Sequence, residues 1–160
     1  MDSTPGNVEI YIANFDSANT YTTDADGVIT AMTSANEFFK FEFPRNTASF
    51  VETSNVVIEN DEISYSQVVG MVLNKRDAQK RNLMLLLGKA TTIIIVKDKN
   101  GLYTVVGKET GANLTAGTNQ SGVAPGERNG YTFEFTAVES VPAPFIEFDA
   151  FSALISATQI

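Results

Sequence analysis

Histidine, cysteine and tryptophan do not occur in this chain. Without cysteine there is no disulfide, no thiolate nucleophile and no thiolate metal site. Without histidine the side chain most often used as a general base near neutral pH is missing, and so is the commonest metal ligand. Catalysis would have to rest on carboxylates, Lys, Tyr or Ser, and neither a Ser-x-x-Lys box nor a Gly-x-Ser-x-Gly elbow gathers them. The expectation is therefore a protein that is not an enzyme and holds no cofactor and no metal. Basic residues are scarce: 11 Lys and Arg stand against 19 Asp and Glu, for a net charge of −8. That balance excludes sequence-specific nucleic-acid binding by the isolated chain, because the phosphate backbone needs a basic footprint. Long apolar runs are absent as well. The longest is about five residues, which is too short to span a membrane. The start, MDSTPGN, is polar and acidic and lacks the basic n-region and apolar core of a signal peptide. The chain is expected in a cytoplasm, or exported only as part of a particle.

What is present favours strands. The 160 residues fit one domain, and 43% of them are hydrophobic, with 11 Phe and 5 Tyr set largely in short alternating runs. VEIYIANF (8–15) alternates. TYTTDADGVITAMT places Asp26-Gly27 between two Thr/Val/Ile-rich segments, a two-residue hairpin signal. EFFKFEF (37–43) alternates until Pro44 ends it. NVVIENDEISYSQVVGMVL (55–73) predicts one long strand or two broken at Asn60-Asp61, with a bulge or bend at Gly70. In TTIIIVKDKNGLYTVVGKE (91–109), Asn100-Gly101 predicts a type I′ hairpin turn. The continuous Ile93–Val96 run predicts a strand buried on both faces. YTFEFTAVE (131–139) alternates, and two prolines then halt it. The tail IEFDAFSALISATQI is open to two readings, since Ile146, Phe148 and Ala150 fit a strand while Phe148, Phe151 and Ile155 fit a helix face, and 147–160 reads as a C-terminal extension.

One segment has a different period. NKRDAQKRNLMLLLGK predicts an α-helix over about 74–88, capped by Asn74 with Asp77 three residues on, and ended by Gly88. Its second half is apolar all round, so Leu83, Leu86 and Leu87 are expected against the Ile93–Val96 strand. Its first half holds Lys75, Arg76, Lys80 and Arg81, four of the 11 basic residues. Cations at a helix start oppose the macrodipole by a few tenths of a kcal/mol each. That misfit points to a use elsewhere, as a contact for an anion or a partner subunit, against the plainer reading of a solvated face. Residues 116–130, rich in Gly, Ser, Thr and Asn, predict a long flexible loop, a length usually tied to function or disorder.

The other clusters are weak. DADG (24–27) opens like a calcium loop, but the later ligands are missing, and Asp-Gly is what hairpin turns use. ENDE (59–62) groups three carboxylates in a polar break between strands, which reads as a solvated turn. Gly101, Gly107 and Gly111 lack phosphate-loop spacing and read as turns.

The helix KRDAQKRNLMLLLGK, the hairpin across Asn100-Gly101, the Gly-rich loop, the NGYTF strand entry and the PAPF exit together cover about residues 74–146. In these the chain resembles small structural proteins of tailed bacteriophages, particularly those infecting Bacteroidetes. The resemblance implies a tail or neck component of the virion with a tail-tube-like fold. That fold is mainly β, a sandwich or barrel of antiparallel strands with one flanking α-helix. It implies a partner of the same kind, in a homo-oligomeric ring or tube, together with other tail or neck proteins. The loop 116–130 would then be an arm reaching a neighbour, with Thr118, Asn119, Gln120, Glu127 and Arg128 as candidate interface residues beside the basic cluster. The acidic balance would let DNA pass without sticking. The alternative is a non-catalytic β-sandwich binding module for carbohydrate or protein, using Tyr11, Tyr21, Tyr65, Tyr103 and Tyr131 as surface platforms.

Overall fold

A computed structural model describes residues 7–42, 48–74, 89–98, 101–120 and 130–155. The protein is mainly β, as expected, and its strands form two packed sheets. The strands are β1 (Asn7–Asn14), β2 (Thr20–Thr23), β3 (Ile29–Thr33), β4 (Phe39–Glu42), β5 (Ala48–Val57), β6 (Glu62–Asn74), β7 (Thr92–Asp98), β8 (Tyr103–Val106), β9 (Asn113–Gln120), β10 (Gly130–Glu139) and β11 (Phe145–Ile146). A one-turn helix, α1 (Phe148–Phe151), follows and runs into a 3-10 turn at Ser152–Leu154. Seven strands make one sheet in the order β2-β3-β11-β8-β7-β1-β4, and four make the other in the order β5-β6-β10-β9. The pairings are antiparallel except for β11 with β3.

The alternation of apolar residues decides which faces meet. On β10, Phe133, Phe135 and Ala137 are buried while Glu134 and Val138 are exposed. Those three join Val69 and Met71 of β6 against Ile10, Ile12, Ile94, Val96 and Val106 of the larger sheet. The larger sheet is covered on its other face too. There Tyr11, Ile29, Ile93, Ile95 and Val105 pack under Phe38 and Phe151. Coverage on both sides is why Ile93–Val96 needs no polar alternation, and all four are at most 3% exposed.

The cover comes from the C-terminal segment. Phe151 is fully buried, and its ring meets those of Tyr11, Tyr103 and Phe148 at 5.2–5.5 Å between centroids, all edge-on. Phe38 donates its backbone N–H to Leu154 and bridges to Ile155, which ties this segment beside β4. Residues 147–155 therefore pack on their own chain. Both patterns read in that stretch have a share of it: Ile146 is strand and Phe151 belongs to a helix face. The helix expected over about 74–88, with Leu83, Leu86 and Leu87, lies outside the described residues. Asn74, expected as its N-cap, is instead the last residue of β6 and pairs with Gly130.

Three local expectations are corrected. Asp26-Gly27 does not make a two-residue turn, and of the expected Asn100-Gly101 turn Asn100 lies outside the described residues. In both hairpins an Asp opens a longer loop: Gly27 donates to the Asp24 carbonyl and Gly101 to the Asp98 carbonyl. The Asp24 carboxylate accepts from Asp26 and Val28, and the Asp98 carboxylate accepts from Leu102. The loop closes through a left-handed glycine, with φ of 80° at Gly27 and 84° at Gly101, where only a residue without Cβ sits easily. The Asp24 carboxylate is thus committed to its own turn. Gly70 marks no bulge: β6 pairs in continuous register through it with Ser49 and Glu134. The long loop is shorter than expected, because β9 runs to Gln120 opposite Gly130. Residues 116–120 and 130 are strand.

Candidate subunit interface

The two sheets manage their edges differently. The larger sheet ends in β2 and β4, of four residues each. Short edges are one way in which proteins prevent unwanted strand pairing. The smaller sheet ends in β5, of 10 residues, and β9, of eight. Neither has a strand beyond it among the described residues. β5 (ASFVETSNVV) carries a single charge, Glu52, and β9 (NLTAGTNQ) none; neither has a proline or a lysine. Proline and lysine are therefore missing from both and charge nearly so, although β9 has a bulge opposite Glu134–Phe135, and each offers a row of backbone donors and acceptors to another chain.

The Glu52 carboxylate is also not free to guard the edge. It accepts from Gln67 Nε2 at 3.1 Å and from the Ala143 N–H at 2.7 Å. Gln67 is buried and its Oε1 accepts from the Gly107 N–H at 3.3 Å. Glu139, also buried, accepts at Oε1 from the N–H groups of Glu109 and Thr110, both at 3.1 Å, and from the Thr110 hydroxyl. Two buried side chains of the smaller sheet thus clamp the Gly107–Gly111 loop of the larger one and fix the sheets to each other.

The β5–β6 hairpin projects. The last pair of β10 with β6 is Glu139–Tyr65. Beyond it, Asn55–Ser64, Val56–Ile63 and Val57–Glu62 continue as a two-stranded ribbon, closed by a 3-10 turn at Ile58–Asn60 and a left-handed Asp61. Val56, Val57, Ile58 and Ile63 are 44–89% exposed on it. A bare two-stranded ribbon is marginal in water, and one with apolar side chains on both faces lacks a cover. The three carboxylates of ENDE lie around this tip as solvated residues, as expected.

The outward face of the smaller sheet is set by register. Glu134, Thr136 and Val138 of β10 lie level with Gly70, Val68 and Ser66 of β6, and these with Ser49, Val51 and Thr53 of β5. Glu134 is the only charge among those nine residues, and Glu62 shares their parity on the ribbon.

Of the candidate interface residues read from the sequence, Thr118, Asn119 and Gln120 stand on the edge strand β9, opposite Thr132, Tyr131 and Gly130. They belong to a strand edge and not to a loop arm. Lys75, Arg76, Lys80, Arg81, Glu127 and Arg128 lie outside the described residues. Tyr11, expected as a surface platform, is buried at 2% exposure, with its hydroxyl donating to Glu9 Oε2. Tyr21, Tyr65 and Tyr103 are half-buried. The signal for the ribbon valines and isoleucines is VVI directly before an acidic turn. No metal-holding group of acidic residues occurs among the described residues. No helix among the described residues is long and apolar enough to cross a membrane. No protein-family model matches the chain, and no curated protein matches it.

Proposed function

We propose that this chain is a structural virion protein of a tailed bacteriophage, which assembles with copies of itself into a ring or tube in the tail or neck. Other tail or neck proteins would be its further partners, and the ring would form part of the passage for DNA. The single observation that carries this reading is the pair of long edges, nearly free of charge and of proline, on one sheet. β5 and β9 differ in sequence and lie at opposite sides of that sheet, so β5 of one copy against β9 of the next is a head-to-tail contact. Such contacts close into rings or run on as filaments. Propagated round a ring, the smaller sheet becomes a continuous wall with its neutral and acidic face to one side. That face holds no cation among the described residues, which suits a surface past which DNA slides.

Light scattering on purified protein, with negative-stain imaging, tests the proposal. The expected result is closed rings or tubes of one diameter. A monomer at every concentration and salt would overturn it.

A further inference from the structure

The larger sheet has a gap. β11 places two residues between β3 and β8, and the chain then leaves the sheet for α1. A groove of about 390 Å³ remains there, between Val28 ahead of β3 and Leu102 ahead of β8. Its wall is apolar. Leu102, Phe145 and Phe148 are 43–49% exposed in it, and the Tyr103 ring stands 5.6 Å from that of Phe148. Exposed apolar side chains gathered in one concavity mark a contact site. A small-molecule site adds several placed polar groups to such a wall. Here Glu147 is the one charged side chain that lines it. The groove therefore suits an apolar projection from a protein.

The chain carries such a projection itself. At the tip of the β5–β6 ribbon Ile58 is 89% exposed, with Val56, Val57 and Ile63 beside it. The two features lie at opposite ends of the subunit. The ribbon leaves beyond Glu139, which clamps the loop after β8, and the groove opens at the start of β8. A copy does not fill its own groove, so the ribbon of one copy meets the groove of another. A projection that fits a pocket elsewhere on the same molecule makes a head-to-tail contact. Area agrees with this pairing. The seven exposed apolar side chains each lose on the order of 100 Å², about half of the roughly 1,200–2,000 Å² of a stable contact, and the polar surface around them supplies the rest. Charge opposes it mildly. Glu59, Asp61 and Glu62 surround the tip, Glu147 lines the groove, and Lys97 beside Tyr103 is already paired with Glu9. The contact is thus apolar against repulsion, and salt tightens it.

We propose that the groove of each copy receives the β5–β6 ribbon of a second copy, with Ile58 as the inserted side chain. This contact runs along the strands, whereas pairing of β5 with β9 runs across them, so it does not rest on the ring reading. The chain has no cysteine, and introduced ones report the contact without background. Ile58→Cys and Leu102→Cys are made in separate copies, one isotope-labelled, both carrying Val51→Lys with Thr53→Lys to block edge pairing. Ile58 is exposed and Leu102 half-exposed, so both copies should fold. Mixed and oxidised, they should give the mixed disulfide in about tenfold excess over either homodimer by mass spectrometry, because the bond closes only where Cα atoms come within about 7 Å. The excess should grow with salt. Val56→Asp in the Ile58→Cys copy should abolish it. A predominant homodimer of either copy overturns the proposal, and so do products in statistical proportion or an excess that survives Val56→Asp. None of these results bears on edge pairing, which the lysines have removed.

Discussion

At the scale of single residues, two positions hold more of the fold than their neighbours. Phe151 stands alone as the fully buried side chain of α1, and four aromatic rings, those of Tyr11, Phe38, Tyr103 and Phe148, surround it. Phe151→Ala removes that plug from the outer face of Ile93 and Ile95. It should cost about 3–5 kcal/mol in a denaturant melt. A loss under about 1 kcal/mol would mean that the C-terminal segment contributes little to the core. Gly107 is the second. It has a φ of 79°, and a Cβ there would come within 2.8 Å of the backbone of Gly111 and Ala112. Left-handed strain alone is about 1–2 kcal/mol, so Gly107→Ala should cost more than that. The control is Lys108→Ala, one residue on, where no such backbone clash arises. Tyr21 adds a pH dependence. Burial holds its folded pKa above the unfolded 10.0, so its contribution to stability is complete below pH 10 and is lost as pH rises toward the folded value. Melts at rising alkaline pH should show that decline in the wild type and a flatter one in Tyr21→Phe.

At the scale of elements, the edge strands carry the assembly argument. Val51 is 56% exposed on β5, level with Val68 on the outward face. Val51→Lys with Thr53→Lys installs the guard that natural edges use. Both sites face water in the subunit, so its melting should shift by no more than about 0.5 kcal/mol. Assembly should be lost, as read by light scattering. Rings of normal size from the double variant would remove β5 from the interface. The same elements show what was legible in the sequence. Alternation located β10 because it has one wet and one dry face, whereas β1 is buried on both faces from Ile10 to Ala13, and Ile93–Val96 revealed its double burial by having no alternation. The hairpin at Asp26-Gly27 was legible, but its turn is longer than the Asp-Gly pair alone predicts. The Asp three residues before each Gly, Asp24 and Asp98, whose carboxylates accept the loop N–H groups, was the signal for the longer turn. β9 was cut short because NLTAGTNQ has no apolar residue after Leu114 apart from Ala116, and periodicity is silent in a strand held by its backbone ladder. Of the candidate interface, β9 was touched through the wrong element. β5 and the ribbon were missed, since edge position is a property of sheet order and no local pattern encodes it.

At the scale of the whole molecule, charge and edges have to act together. Each subunit brings a net −8, which would oppose close packing of copies unless backbone pairing and the ribbon's apolar side chains outweigh it. Salt should therefore strengthen contacts limited by overall repulsion. It should weaken any contact made by Lys75, Arg76, Lys80 and Arg81 with an acidic neighbour. Lys80→Glu with Arg81→Glu separates the two effects: if the cluster meets a neighbour, the variant assembles less well at low salt, and the deficit shrinks as salt rises. The passage gives the sharper test. Fields beyond roughly 8–10 Å are screened at physiological ionic strength, so only side chains on the wall itself act on DNA. If the outward face of the smaller sheet lines the passage, its mid-strand charge is Glu134, which is exposed between Phe133 and Phe135. Glu134→Lys puts one cation per subunit on the wall and leaves both edges untouched. Each new cation that meets a phosphate adds a counterion-release contribution, and a ring brings them in number. The variant assembly should therefore retain double-stranded DNA at low salt and release it steeply as salt rises, while the wild-type assembly passes DNA without retention. Equal, weak retention by both, with rings intact, would show that this face does not line the passage. The wall would then have to be sought on the other side of the subunit.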